Sequence, residues 1–131
     1  IENILINVKK CTENRLICLF GCGGNRDSSK RPKMAHSAEK YADYLIVTSD
    51  NPRNENPDDI ISDILKGLEG TKPYDVVTDR RKAIYHALEI AQKGDVIVLA
   101  GKGHEDYQIL ADNVHIHFDE REVVAEGLKL L

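Results

Sequence analysis

Apolar residues along the chain alternate between two patterns, short continuous runs and stretches at helical spacing. Ile1, Ile4, Leu5 and Val8 recur every three to four residues, which predicts a helix over 1–11. RLICLF (15–20) is a continuous apolar run ending at Gly21, the mark of a strand buried on both faces. A basic loop and a helix over about 32–42 follow, then the strand YLIVTS (44–49) and the loop DNPRNENP. Asn56 is a natural helix cap, with Pro57 at the first helical position and Asp58 and Asp59 in the first turn, and that helix stops near Gly67–Gly70. YDVVT (74–78) predicts a third strand, and Asp79 caps a helix running to about Lys93 and closed by Gly94. DVIVLA (95–100) reads as the most apolar and most buried strand. Residues 107–110 and 114–118 read as short strand pieces near a sheet edge, before a last helix over 119–130.

Strands alternating with helices at this spacing predict βαβ crossovers and a mostly parallel sheet covered on both faces, an α/β fold. The loops 21–31, 49–56 and 101–106 each follow a strand directly. In such a sheet they open on one edge, beyond the carboxyl ends of the strands, where ligands bind.

Length and composition narrow the class. At 131 residues the chain is one domain with one core, without repeats or internal linkers. Eighteen basic and 22 acidic residues give a net charge of -4, which provides no electrostatic case for nucleic acid or an anionic membrane as partner. No apolar run approaches the ~20 residues that span a bilayer, and no secretory signal is visible. Three cysteines without a CxxC pair argue against a disulfide framework or zinc site and fit a reducing cytoplasm. Cys18 reads as a buried strand residue, and a nucleophile is the minority reading of Cys22. The opening at Ile1, already inside an amphipathic pattern, reads like a piece of something longer.

The glycine loop FGCGGNRDSSKRP (20–32) matches neither standard phosphate motif. A dinucleotide fingerprint would need glycine where Arg26 stands, and no GxxxxGK[ST] occurs. Backbone N–H groups with Arg26, Lys30 or Arg31 still suit an anion; a glycine turn with a solvated basic stretch is the plainer alternative. In Asp50-Asn51-Pro52-Arg53, Pro52 stiffens the turn, and the arginine fork matches a carboxylate in a way lysine does not. A plain turn stays open here too. In Gly101-Lys102-Gly103-His104-Glu105 the glycines permit close ligand approach, Glu105 suits an ammonium and Lys102 a phosphate or carboxylate. His104 reads as structural, and the five histidines show no metal-ligand spacing. Together the loops suit an amino-acid-sized zwitterion with an additional carboxylate.

FGCGGNRDSSKRP, IVTSDNPRNENP, TDRRKAI and VLAGKGHEDYQIL, in this order and spacing over most of residues 16–110, resemble the C-terminal domain of the Mur ligases of the diaminopimelate-adding (MurE) type. The resemblance implies a Rossmann-like three-layer domain over 1–131, mostly parallel with an antiparallel edge, from a three-domain cytoplasmic ligase of peptidoglycan precursor synthesis. In that family ATP and Mg²⁺ activate the carboxylate of a UDP-N-acetylmuramoyl dipeptide as an acyl phosphate, which the incoming amino acid attacks. By the resemblance, Arg26, Asp50, Asn51, Pro52, Arg53, Gly101 and Glu105 contact meso-diaminopimelate, and Asp79, Arg80 and Lys102 face ATP. The family's P-loop, UDP-sugar domain and metal-binding lysine lie in segments this chain lacks, so it is expected to hold no catalytic residue or metal and to be inactive alone. A ligase domain for L-lysine, glutamate or another diamino acid, and a free-standing nucleotide-binding module, are the alternatives.

Overall fold

The computed structural model describes residues 1–131. Its elements run α1 (Glu2–Lys9), β1 (Leu16–Phe20), α2 (Lys30–Tyr41), β2 (Tyr44–Val47), α3 (Pro57–Leu65), β3 (Tyr74–Val76), α4 (Arg80–Ile90), β4 (Val96–Leu99), β5 (Tyr107–Ile109), β6 (His115–His117) and α5 (Glu120–Lys129), with one 3₁₀ turn at Ala111–Asn113. β1–β4 form a parallel sheet in the order β3-β2-β1-β4. β5 and β6 pair antiparallel as a small sheet of their own. No helix is long and apolar enough to cross a membrane.

Three layers follow from the two-residue period of a strand. Leu16, Cys18 and Phe20 of β1 face a core shared with Leu5, Ala35, Ala38, Ile60, Ile61 and Ile64 of α1–α3. Ile17 and Leu19 point the other way, against Ala83, Ile84 and Ala87 of α4 and Val123 of α5. β1 is therefore buried on both faces, as its unbroken apolar run predicts.

The caps hold as expected. The Asn56 side chain accepts from the Asp58 amide at 2.9 Å, and the Asp79 side chain from the Lys82 amide at 3.0 Å. Two expectations are corrected. β4 is half-buried throughout rather than the most buried strand, because it lies at a sheet edge with β1 as its single neighbour. Helix α4 ends at Ile90, short of Lys93, and Gly94 does not close it. Arg15 Nη2 donates to the Ile90 carbonyl at 2.8 Å and the Gln92 amide to Asp95 at 2.8 Å, which draws the chain off the helix axis. Gly94 takes a left-handed φ of 86° in the turn that follows.

After β3 the chain crosses to the other face through α4 and re-enters the sheet beside β1. The strand order thus reverses between β1 and β4. This is the topological switch point, where the crevice beyond the carboxyl ends opens in folds of this kind.

Candidate functional site

The three strand-following loops meet at that switch point, and backbone contact holds them together. The Gly24 amide donates to the Asn51 carbonyl at 2.7 Å. A Cβ on Gly24 would lie 1.8 Å from the Pro52 carbonyl oxygen, and one on Gly21 would lie 2.4 Å from the Thr48 carbonyl oxygen. Gly21 and Gly24 serve the close approach of the 48–52 segment.

The DNPR turn is pinned from both sides. Asn51 is buried; its Oδ1 accepts from Lys102 Nζ and from the Ile109 amide, both at 3.0 Å, and its Nδ2 donates to Glu105 Oε1 at 3.3 Å. Gln108 Nε2 donates to the Asp50 carbonyl at 2.6 Å. Arg53 has a left-handed φ of 54°, uncommon outside glycine, and its amide donates to the Ile109 carbonyl at 3.1 Å. The Arg53 guanidinium donates through Nη1 to the carbonyls of Gly24 at 3.0 Å and Asn51 at 3.4 Å.

In the third loop Gly101 (φ 110°) and Gly103 (φ 57°) both need glycine's freedom. They turn Lys102 inward, so it offers no charge to a solvent-borne phosphate or carboxylate. Its side chain is 0% exposed, with Nζ 3.0 Å from Asp50 Oδ1, 3.0 Å from the Tyr107 carbonyl and 3.8 Å from Glu105 Oε1. The Asp50 contact is an ion pair without hydrogen-bond alignment, which leaves that oxygen with no aligned donor. His104 is exposed and makes no hydrogen bond.

A cleft of about 330 Å³ opens among these loops, and its lining includes Arg26, Asp27, Lys30, Arg31, Asp50 and Gly101. Arg26 is exposed at its rim, free of protein partners. Asn51, Pro52, Arg53 and Glu105 border the same loop cluster without lining the cleft. Asp79 and Arg80 stand apart from it. Asp79 caps α4, and Arg80 is buried, donating to Glu120 at 3.0 Å and to the carbonyls of Ser49 at 3.1 Å and Ala100 at 3.0 Å. Arg80 thus ties the ends of β2 and β4 together from below.

Arg31 carries more of the site than its sequence position suggests. It is 3% exposed and holds Glu55 in a two-armed pair, with Asp63 and the Gly23 carbonyl as further acceptors. That pair holds the Glu55 carboxyl below its ordinary range. Glu55 in turn accepts from the Asn25 amide, anchoring the glycine loop to the turn after Arg53. The roles of Gln108 and Arg31 escape a motif reading because their partners lie 58 and 24 residues away; Arg31, expected to suit an anion, pairs with Glu55 and Asp63 instead. Burial pushes the Cys22 thiol up to about 11, which keeps it in the thiol form at neutral pH. A second, wholly apolar cavity of about 120 Å³ between β4, α4 and α5 has no polar group to orient a ligand.

ATP and Mg²⁺ do not fit these residues as a holding set. No three His, Cys, Asp or Glu side chains converge on a point, and the space beside Gly21 and Gly24 is taken by the 48–52 backbone.

A family model described as "Mur ligase, glutamate ligase domain" matches residues 1–103. A UDP-N-acetylmuramoyl-L-alanyl-D-glutamate–2,6-diaminopimelate ligase of Caldanaerobacter subterraneus subsp. tengcongensis is 58% identical over 129 residues, covering 98% of this chain and 27% of that protein. The protein of the same name from Syntrophomonas wolfei subsp. wolfei is 50% identical over 131 residues, again 98% and 27%. A solved structure of a ligase so named superposes with a TM-score of 0.88 at 41% identity, over 98% of this chain and 27% of that one. The chain therefore spans about a quarter of the length of these relatives.

Proposed function

The chain belongs to the Mur ligase family, and on that premise we propose that it is the amino-acid-binding C-terminal domain of a cytoplasmic, three-domain ligase that adds meso-diaminopimelate to UDP-N-acetylmuramoyl-L-alanyl-D-glutamate. One observation carries the reading: three loops meet at the switch point and bring Arg26, Asp50 and Gly101 onto one cleft, beside the DNPR turn. The ligand class follows from the charges. Meso-diaminopimelate has two carboxylates and two ammonium groups, and the loop cluster offers arginine cations at Arg26 and Arg53 and carboxylates at Asp50 and Glu105. Arg53 spends only Nη1 on the protein, so the rest of its planar fork is available to a carboxylate. L-Lysine lacks the distal carboxylate that such a fork would hold.

Residues of the rest of the complete ligase would hold ATP and Mg²⁺, which would supply the phosphoryl group that activates the dipeptide carboxylate. This chain's part is to bind and orient the incoming amine. The test is phosphate release by the complete ligase with each amino acid in turn. Meso-diaminopimelate is expected to drive turnover; equal turnover with L-lysine or glutamate would overturn the assignment. Tight ATP binding by the 131-residue chain alone would favour a nucleotide-binding module instead.

A further inference from the structure

We infer that Lys102 is a positioning residue of the amino-acid site: its buried ammonium sets the orientation of the Asn51 amide and holds the Asp50 and Glu105 carboxylates around one cation, without itself meeting the ligand. The inference rests on the functional reading above.

The chain goes to some expense to bring this cation inside. Two left-handed glycines flank it, its side chain has no exposed surface, and Nζ lies 5.9 Å from the Phe118 ring centroid. Burying an ammonium is unfavourable, and a well-packed apolar side chain often stabilises a fold as well or better. The arrangement makes sense where orientation matters more than stability.

The orientation is legible in the hydrogen bonds. Asn51 Oδ1 receives two donors, Lys102 Nζ and the Ile109 amide, so its Nδ2 must turn to Glu105. The same Nζ is the cation nearest both acidic side chains, 3.0 Å from Asp50 Oδ1 and 3.8 Å from Glu105 Oε1. Asp50 Oδ1 has no aligned hydrogen-bond donor, so this ion pair is what offsets its burial. Without the ammonium, two carboxylates would share the loop cluster with no counter-charge between them. Binding groups need to be held to within a fraction of an ångström by such supporting contacts.

The experiment uses the complete ligase with Lys102→Met, which keeps the stem and removes the charge, and Lys102→Gln, which keeps a donor for Asn51. Lys102→Met is expected to raise KM for meso-diaminopimelate about 10- to 100-fold, the scale of one lost charged hydrogen bond. KM for ATP should stay near the parent value, and Lys102→Gln should recover part of the loss. An unchanged KM for meso-diaminopimelate, or equal losses for every substrate in both variants, would overturn the inference and leave Lys102 a packing residue. If the parent enzyme does not use meso-diaminopimelate, the functional reading fails first, and the same KM split is then read on the amino acid it does use.

Discussion

Gly24 and Pro52 meet through backbone alone: a Cβ on residue 24 would lie 1.8 Å from the Pro52 carbonyl oxygen. No side-chain adjustment relieves such an overlap, so Gly24→Ala must push two loops apart. It is expected to destabilise the chain by about 1–3 kcal/mol, read as a lower urea midpoint. Gly23→Ala gives the contrast, because the one overlap its Cβ would make is with the Arg53 Nη1 at 2.8 Å, Arg26 Cγ and the Asn51 carbonyl oxygen lying at 3.5 and 3.9 Å. A flexible guanidinium can yield, so that variant should unfold near the parent midpoint while weakening amino-acid use in the complete ligase.

Arg53→Ala tests the carboxylate fork directly. Loss of a charged, partly desolvated partner typically costs ~2–5 kcal/mol. Expressed as kcat/KM for meso-diaminopimelate in the complete ligase, the loss should be large, and Arg53→Lys should recover little of it because an ammonium cannot present the fork. Unchanged kinetics would remove Arg53 from the site.

Acid sensitivity should centre on Asp95. Its carboxyl is drawn down to about 2 by the Arg15 side chain, with the Gln92 and Arg15 amides adding to the effect. The folded chain thus binds this proton less readily than the unfolded one. The contribution is complete above about pH 4 and is lost as pH falls through about 2. Asp95→Ala should lower stability at pH 7 by about 1.5–3 kcal/mol, and the gap to the parent should narrow in urea titrations at pH 3 and below.

Asp79 separates a cap from a ligand contact. As a cap only, Asp79→Asn should leave stability and ATP use unchanged, while Asp79→Ala should cost ~1 kcal/mol, measured by urea unfolding. A loss of ATP affinity in the asparagine variant would restore the nucleotide-facing role expected from the sequence.

Thiol labelling offers an independent check on the packing. Cys11 is exposed, whereas burial raises the thiols of Cys18 to about 12 and Cys22 to about 11. Iodoacetamide at pH 7.5 should modify Cys11 first, and the other two chiefly after denaturation, as read by peptide mass spectrometry. Rapid labelling of Cys22 in the folded chain would contradict the site geometry.

By itself the sequence determined the α/β class, the caps at Asn56 and Asp79, the burial of β1 and the placement of three chemistry-bearing loops at one sheet edge. These depend on local periodicity and on capping chemistry, which act over a few residues. Its motifs also pointed to the Mur ligase family. Only the tertiary structure decided that β4 is an edge strand, since neighbour number depends on strand order and not on how apolar a run is. It also decided what the glycines are for: Gly21 and Gly24 make room for the 48–52 backbone. Lys102 and Arg80, expected to face a nucleotide, are turned inward to bind loop carbonyls and carboxylates. A charged residue in a motif announces its chemistry in the sequence, but the side of the loop on which that charge is spent depends on acceptors brought in from distant segments.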